Sequence, residues 1–231
     1  MMQWSKQELS ERISEIREKV SAAAVSASRN PAEIQIMAVT KTVPPEKVNF
    51  AYEEGIRLFG ENRVQEYLSK EEQYEIPLGL FHFIGHLQTN KVKYIIEKVS
   101  CIESVGSLKL AEEIDRRASS AGIIMPILLE VNIASELSKS GFLPDKLDES
   151  LRRISEFEHI SIQGLMCIPE RGEGDYWFQK TQELFLEYQA LNLPHTFFHT
   201  LSMGMSEDYE AAIRNGSTIV RLGRAMFGER G

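Results

Sequence analysis

Ile34-Gln35-Ile36-Met37-Ala38-Val39-Thr40 is a short apolar run that stops at Lys41-Thr42, just before Pro44-Pro45. Prolines suit the first turn of a helix, where a missing N–H costs nothing and φ is already set. Gly55 closes that helix, and a second apolar run follows at Leu58-Phe59-Gly60. Strand, helix and strand in so short a span form a βα unit, since parallel strands need a crossover between them.

The alternation continues along the chain. Apolar β-type runs at 34–40, 58–60, 81–84, 101–103, 127–133, 162–168, 197–201 and 219–222 are predicted as strands. Between them, Ser107 caps a helix ending near Gly122, and Ser206 precedes one stopped by Asn215-Gly216. Trp4, Leu9, Ile13, Ile16 and Val20 recur at helical spacing among charged residues, which predicts a leading amphipathic helix within residues 1–29. Eight consecutive units predict an α/β fold, a closed (β/α)8 TIM barrel with an extra N-terminal helix. The competing architecture is an open doubly wound sheet, which would use about five to seven strands. No Pro/Gly/Ser-rich linker divides the chain, so residues 1–231 are expected to form one domain.

Composition narrows the class. Among 231 residues, 26 Lys and Arg against 34 Asp and Glu give a net charge of −8, which disfavours nucleic acid and anionic membrane partners. Cys101 and Cys167 are far apart and lack metal-ligand spacing, so no disulfide framework or metal site is expected and a reducing cytoplasm suits them. The N-terminus has no apolar core of a signal peptide, and residues 123–134 are too short and too interrupted to span a bilayer.

In this architecture chemistry sits at the C-terminal ends of the strands. Lys41 ends the first strand, where barrel walls would favour the neutral amine that attacks a carbonyl to make a Schiff base; a snorkelling or phosphate-binding lysine is the alternative. Ser202-Met203-Gly204-Met205-Ser206 and Arg221-Leu222-Gly223-Arg224 end strands seven and eight, the common phosphate position. Ser202 and Ser206 offer hydroxyls, while Gly204 and Gly223 let backbone approach an anion. An amine opposite a phosphate cup fits a phosphorylated aldehyde such as pyridoxal 5'-phosphate (PLP), with sugar phosphates also possible. Arg221 is placed to face a pyridine nitrogen; as a permanent cation it would keep that nitrogen unprotonated and weaken the ring as an electron sink. Asn62 is a candidate for a ring substituent or a helix cap, and Met166 for core or pocket wall. His82 and His86 lie four apart on a strand, which reads as packed or hydrogen-bonded histidine; Lys139 reads as a solvated loop lysine.

Seven ordered stretches carry a resemblance: Ala38–Thr42, Phe59–Asn62 with Val64-Gln65-Glu66, His82–Gln88 with Asn90-Lys91, Ser138–Gly141, Gly164–Met166, Leu201–Ser206 and Val220–Gly228. Together they resemble the pyridoxal phosphate homeostasis protein family from about residue 34 onward. The resemblance implies a fold-type III PLP barrel similar to the N-terminal domain of alanine racemase. It implies PLP as cofactor, held as a Schiff base on Lys41, with Arg221 facing the pyridine nitrogen. Ser202, Ser206, Gly223 and Arg224 would surround the phosphate, and Asn62 and Met166 would line the ring. Arg224 stands where relatives often carry Thr or Ser. The family's role is cytoplasmic PLP homeostasis, serving PLP-dependent apoenzymes without established turnover. The chain stops soon after strand eight, so no racemase-type second domain is expected, which predicts a solvent-open cofactor face and a monomer. The alternatives are a PLP-dependent amino-acid racemase and, from another class, a sugar-phosphate isomerase or aldolase.

Overall fold

The computed structural model describes residues 4–136, 138–169 and 174–229. Its strands are β1 (Gln35–Val39), β2 (Phe59–Glu61), β3 (Phe81–Phe83), β4 (Cys101–Val105), β5 (Met125–Val131), β6 (Ile160–Cys167), β7 (Thr196–Ser202) and β8 (Ile219–Leu222). They pair in chain order, all parallel, and the sheet closes where β8 meets β1 from Gln35↔Ile219 to Ala38↔Leu222. The expected eight-strand barrel is therefore present, with strand ends moved by a few residues.

The α-helices are α1 (Lys6–Ser26), α2 (Pro45–Glu53), α3 (Val64–Lys70), α4 (Leu108–Ala121), α5 (Pro144–Ile154), α6 (Gly174–Gln189), α7 (Tyr209–Arg214) and α8 (Arg224–Phe227). The sequence signals at α2 and α4 operate as expected. Pro45 opens α2, Ser107 Oγ accepts the Leu110 N–H at 3.3 Å, and Gly122 leaves α4 in the left-handed region at φ 67°. One expectation is corrected: the crossover between β3 and β4 is 3₁₀ helix at Thr89–Tyr94 rather than a full α-helix. Ser206 precedes α7 and Asn215 follows its end, as expected; a turn separates Ser206 from the helix start at Tyr209, in which the Asp208 carboxylate accepts the Met205 N–H at 2.6 Å.

Alternation along each strand separates two layers. Outward residues such as Ala38, Phe59, Phe81, Ile102, Leu129, Leu165, Val220 and Leu222 belong to the main core under the helices. Inward residues fill the barrel in two smaller groups, Met37, Val39, Leu58, Ile84 and Ile219 in one, and Cys101, Leu128 and Met166 in the other. Helix α1 buries Leu9, Ile13, Ile16 and Val20 against α2, α7 and α8, so it flanks the loops that follow the last two strands; residues 1–3 of the leading segment lie outside the described residues. Among the described residues no helix is long and apolar enough to cross a membrane.

Candidate functional site

The C-terminal ends of β1, β2, β7 and β8 surround a cavity of about 430 Å³. Lys41, Asn62, Ser206, Arg221, Gly223 and Arg224 all line it, with Val39, Ile84, Ile168 and Pro169 supplying apolar wall. Alternation explains Lys41: two residues beyond inward-facing Val39, it projects from the same face, and it is half-buried. The turn that follows is strained. Thr42 has φ 62°, an unfavourable place for a β-branched residue, and its N–H is held by the Glu66 carboxylate. On the other side of Lys41, buried Thr40 donates to Glu61 Oε1 at 2.7 Å, an oxygen that also accepts from Tyr74 Oη at 2.8 Å. Burial raises the Glu61 carboxyl above its ordinary range, and these two hydrogen bonds offset that only in part.

Asn62 is not the cap of α3, since that position belongs to Arg63. Its Oδ1 is buried and has no hydrogen-bond partner, the condition of a group left for a ligand. Gly85 sets its backbone, because a Cβ at Gly85 would lie 2.0 Å from the Asn62 carbonyl oxygen.

Arg221 is 4% exposed and is gripped from inside the barrel. It donates to Ser202 Oγ at 2.7 Å and to the Cys167 carbonyl at 2.8 Å. Ser202 in turn donates to Glu103 Oε2 at 2.6 Å, and His82 Nδ1 lies 2.6 Å from Glu103 Oε1. An ionised carboxylate can only accept, which places the shared proton on Nδ1. Burial pushes the Glu103 carboxyl up, yet His82, the Arg221 charge and the Ser202 hydroxyl together bring it below the usual range. The result is a buried anion balancing Arg221 across a single hydroxyl.

This arrangement moves two expected residues away from the cavity. Ser202 is the last residue of β7 and faces the barrel interior, so its hydroxyl serves Glu103 and Arg221 rather than a phosphate. Met166 is fully buried with Cys101 and Leu128, which makes it barrel filling rather than cavity wall. The reading of His82 as hydrogen-bonded matches its contact with Glu103; among the described residues no three His, Cys, Asp or Glu side chains cluster as metal ligands. Glu103 stands in the middle of β4, where an acid within an apolar strand is the sequence signal that could mark it.

The loops after β7 and β8 are tied together at the cavity. Ser206 Oγ accepts the Ala225 N–H at 3.1 Å, and a hydroxyl accepting there still has its own proton to give. Arg224 pairs with Glu207 at the rim. Gly204 adopts φ 90°, its carbonyl accepts the Arg221 N–H at 3.0 Å, and a Cβ there would strike Ala212 at 2.5 Å. Its glycine serves close packing on α7. Lys139 is paired with Glu136 and reaches the Ile168 carbonyl at 3.4 Å, so it is anchored rather than loose.

The model for the family described as "Alanine racemase, N-terminal domain" matches residues 12–231. The pyridoxal phosphate homeostasis protein of Aquifex aeolicus is 41% identical over 227 residues, covering 95% of this chain and 97% of the relative. The chain belongs to the pyridoxal phosphate homeostasis protein family. The Escherichia coli (strain K12) member is 35% identical, with 96% of this chain and 97% of the relative covered. Among solved structures, PipY of Synechococcus elongatus, described as having PLP bound, superposes with a TM-score of 0.79 at 32% identity, over 95% of this chain and all of that one. An alanine racemase of Clostridium difficile shares the fold alone, with a TM-score of 0.66 at 17% identity over 92% of this chain and 55% of that one.

Proposed function

We propose that this member of the family binds PLP at the Lys41 cavity and takes part in intracellular PLP homeostasis without substantial catalytic turnover. The observation that carries the reading is that a half-buried lysine, a fixed buried arginine and the β7 and β8 loops open onto one cavity. The residues suit the cofactor in kind: an amine for an aldehyde, Arg221 for a ring nitrogen, Asn62 with its unpartnered oxygen, and Ser206, Gly223 and Arg224 for a phosphate. When bound, PLP supplies an aldehyde able to capture primary amines. Lys41 holds that aldehyde. Arg221, held by Ser202 and the Cys167 carbonyl, would face the ring nitrogen as a donor and so disfavour its protonation. Ser202 and Glu103 act as positioning residues for Arg221.

The racemase reading is less supported. The described cavity wall contains no Tyr or His to serve as an opposing acid or base, and its nearby carboxylates, Glu207 and Asp208, are engaged with Arg224 and the Met205 N–H. We also read the chain as one domain, monomeric, cytoplasmic, and a source of PLP for apoenzymes. The deciding experiment is visible absorption of wild type and Lys41→Ala with added PLP, followed by Cα proton exchange across a panel of amino acids. A new visible band in wild type alone, with slow or absent exchange, is expected. A band in neither protein overturns PLP binding at Lys41, and rapid exchange overturns the non-catalytic role.

A further inference from the structure

A second cavity, also about 430 Å³, lies between the loops that follow β2 and β3. Asn62 lines both cavities, so the second adjoins the Lys41 cavity across one side chain. Its wall carries the cations Arg63 and Lys91, the His86 imidazole and the amides of Asn62, Gln65 and Gln88, with Val64 as apolar surface; Arg63, Gln65, His86 and Gln88 are exposed, so the space is an open groove. The single acid in the wall, Glu66, is already neutralised. Its Oε1 accepts from Lys70 Nζ at 2.5 Å and from the Thr42 N–H. Two cations therefore line one groove in a chain whose net charge is −8. Such a concentration of positive charge and amide donors is a site for an anion.

These residues are also the part of the sequence that the PLP reading leaves unused. Gln65, Glu66, His86, Gln88 and Lys91 belong to the stretches quoted above, yet none of them lines the Lys41 cavity. Asn62, whose Oδ1 is buried and unpartnered, lines both spaces. We propose that the second cavity is a subsite for a small organic carboxylate, an amino or 2-oxo acid, held by Arg63 and Lys91 and placed beside Lys41 across Asn62. An amino acid seated there would present its amine towards the aldehyde-binding lysine. That placement rests on the PLP reading; the binding of the carboxylate does not.

The test is calorimetric titration of the full chain, with and without PLP, using L-alanine, pyruvate and inorganic phosphate as probes. Saturable binding of a carboxylate is expected, weakened about tenfold or more by Arg63→Gln or Lys91→Gln and unchanged by Lys93→Gln on the neighbouring exposed surface. The PLP absorption band should survive in all three variants. Preference for alanine over pyruvate assigns the site to amino acids, and the reverse to 2-oxo acids. Phosphate binding alone, no saturable carboxylate binding, or equal affinity in an Arg63→Gln/Lys91→Gln double variant overturns the proposal. Failure of the PLP reading is separate: it appears as a missing visible band while carboxylate heats persist.

Discussion

Glu61 and Glu103 are both fully buried carboxylates on barrel strands, yet their surroundings drive them in opposite directions. Burial dominates at Glu61 and raises its pKa above the ordinary 4.5. A raised folded pKa means the protonated form is the stable one: stability is complete below 4.5 and falls as pH rises through the folded value. Glu61→Gln mimics the protonated state and keeps an acceptor for Thr40 and Tyr74. Urea unfolding should find this variant more stable than wild type at pH 7, with the difference closing towards pH 4.5. Glu103 has the opposite sign. Its depressed pKa contributes stability above 4.5 that is lost as pH falls through the folded value. Glu103→Gln should cost about 1–3 kcal/mol at pH 7, flatten the acid limb, and weaken PLP binding through Arg221. An unchanged acid limb would show that the Glu103 anion does not balance Arg221. Lys41, Arg221 and Ser206 line one cavity, and their positions are legible in the sequence because each stands at a recognisable strand end or Gly-containing turn. Ser202 bonds Glu103 and Arg221 instead of lining that cavity, and the sequence does not show this because a shift of one residue decides whether a side chain at a strand end faces the interior or the mouth. The role of Glu103 is not legible because the partner that explains it, Ser202, lies 99 residues away.

At the scale of elements, α4 carries its own start and stop. Ser107 satisfies the Leu110 N–H, and Gly122 takes the left-handed conformation that an L side chain resists. Ser107→Ala and Gly122→Ala should each lower unfolding free energy by about 1 kcal/mol, measured in urea, with the PLP band unaltered because α4 supplies no residue to the Lys41 cavity. A loss well under this in both would mean that packing of Leu110, Ala111, Ile114 and Ala118 alone sets the helix ends. These signals are local, which is why the strands and the capped helices were legible. The 3₁₀ crossover after β3 was not, since Val92, Ile95 and Ile96 are buried as a helix would bury them, and only tertiary contact selects the tighter turn.

For the whole molecule, the shortest strand register in the barrel coincides with its proposed cofactor site. β7 and β8 share one register pair, Ser202↔Ile219, whereas β8 and β1 share four. Backbone bonds extend that short register, Thr218 N–H to the Leu201 carbonyl at 2.8 Å, Met203 N–H to Ile219 at 3.1 Å and Arg221 N–H to Gly204 at 3.0 Å, and Ser217 Oγ and Arg29 add side-chain bonds to the Met203, Ile213 and Ser217 carbonyls, each at 2.8 Å. Ser206 at the end of this seam, Gly223 and Arg224 just past it, and Lys41 beyond β1 all face the same cavity. A ligand bound to both ends would therefore cross-link three strands where the strand register is shortest. Stabilisation by such a ligand follows mass action, about 2.7 kcal/mol at a hundredfold excess over Kd. That gain should be local as well as global. Hydrogen exchange in the presence of PLP should slow most for amides in residues 202–206, 219–225 and 38–42, and least in β4 and β5, whose ladders do not depend on the site. Lys41→Ala should lose both the protection and the rise in thermal midpoint. Uniform protection across all eight strands would instead mean that the barrel opens as one unit and that the short β7–β8 register is no weaker than the rest.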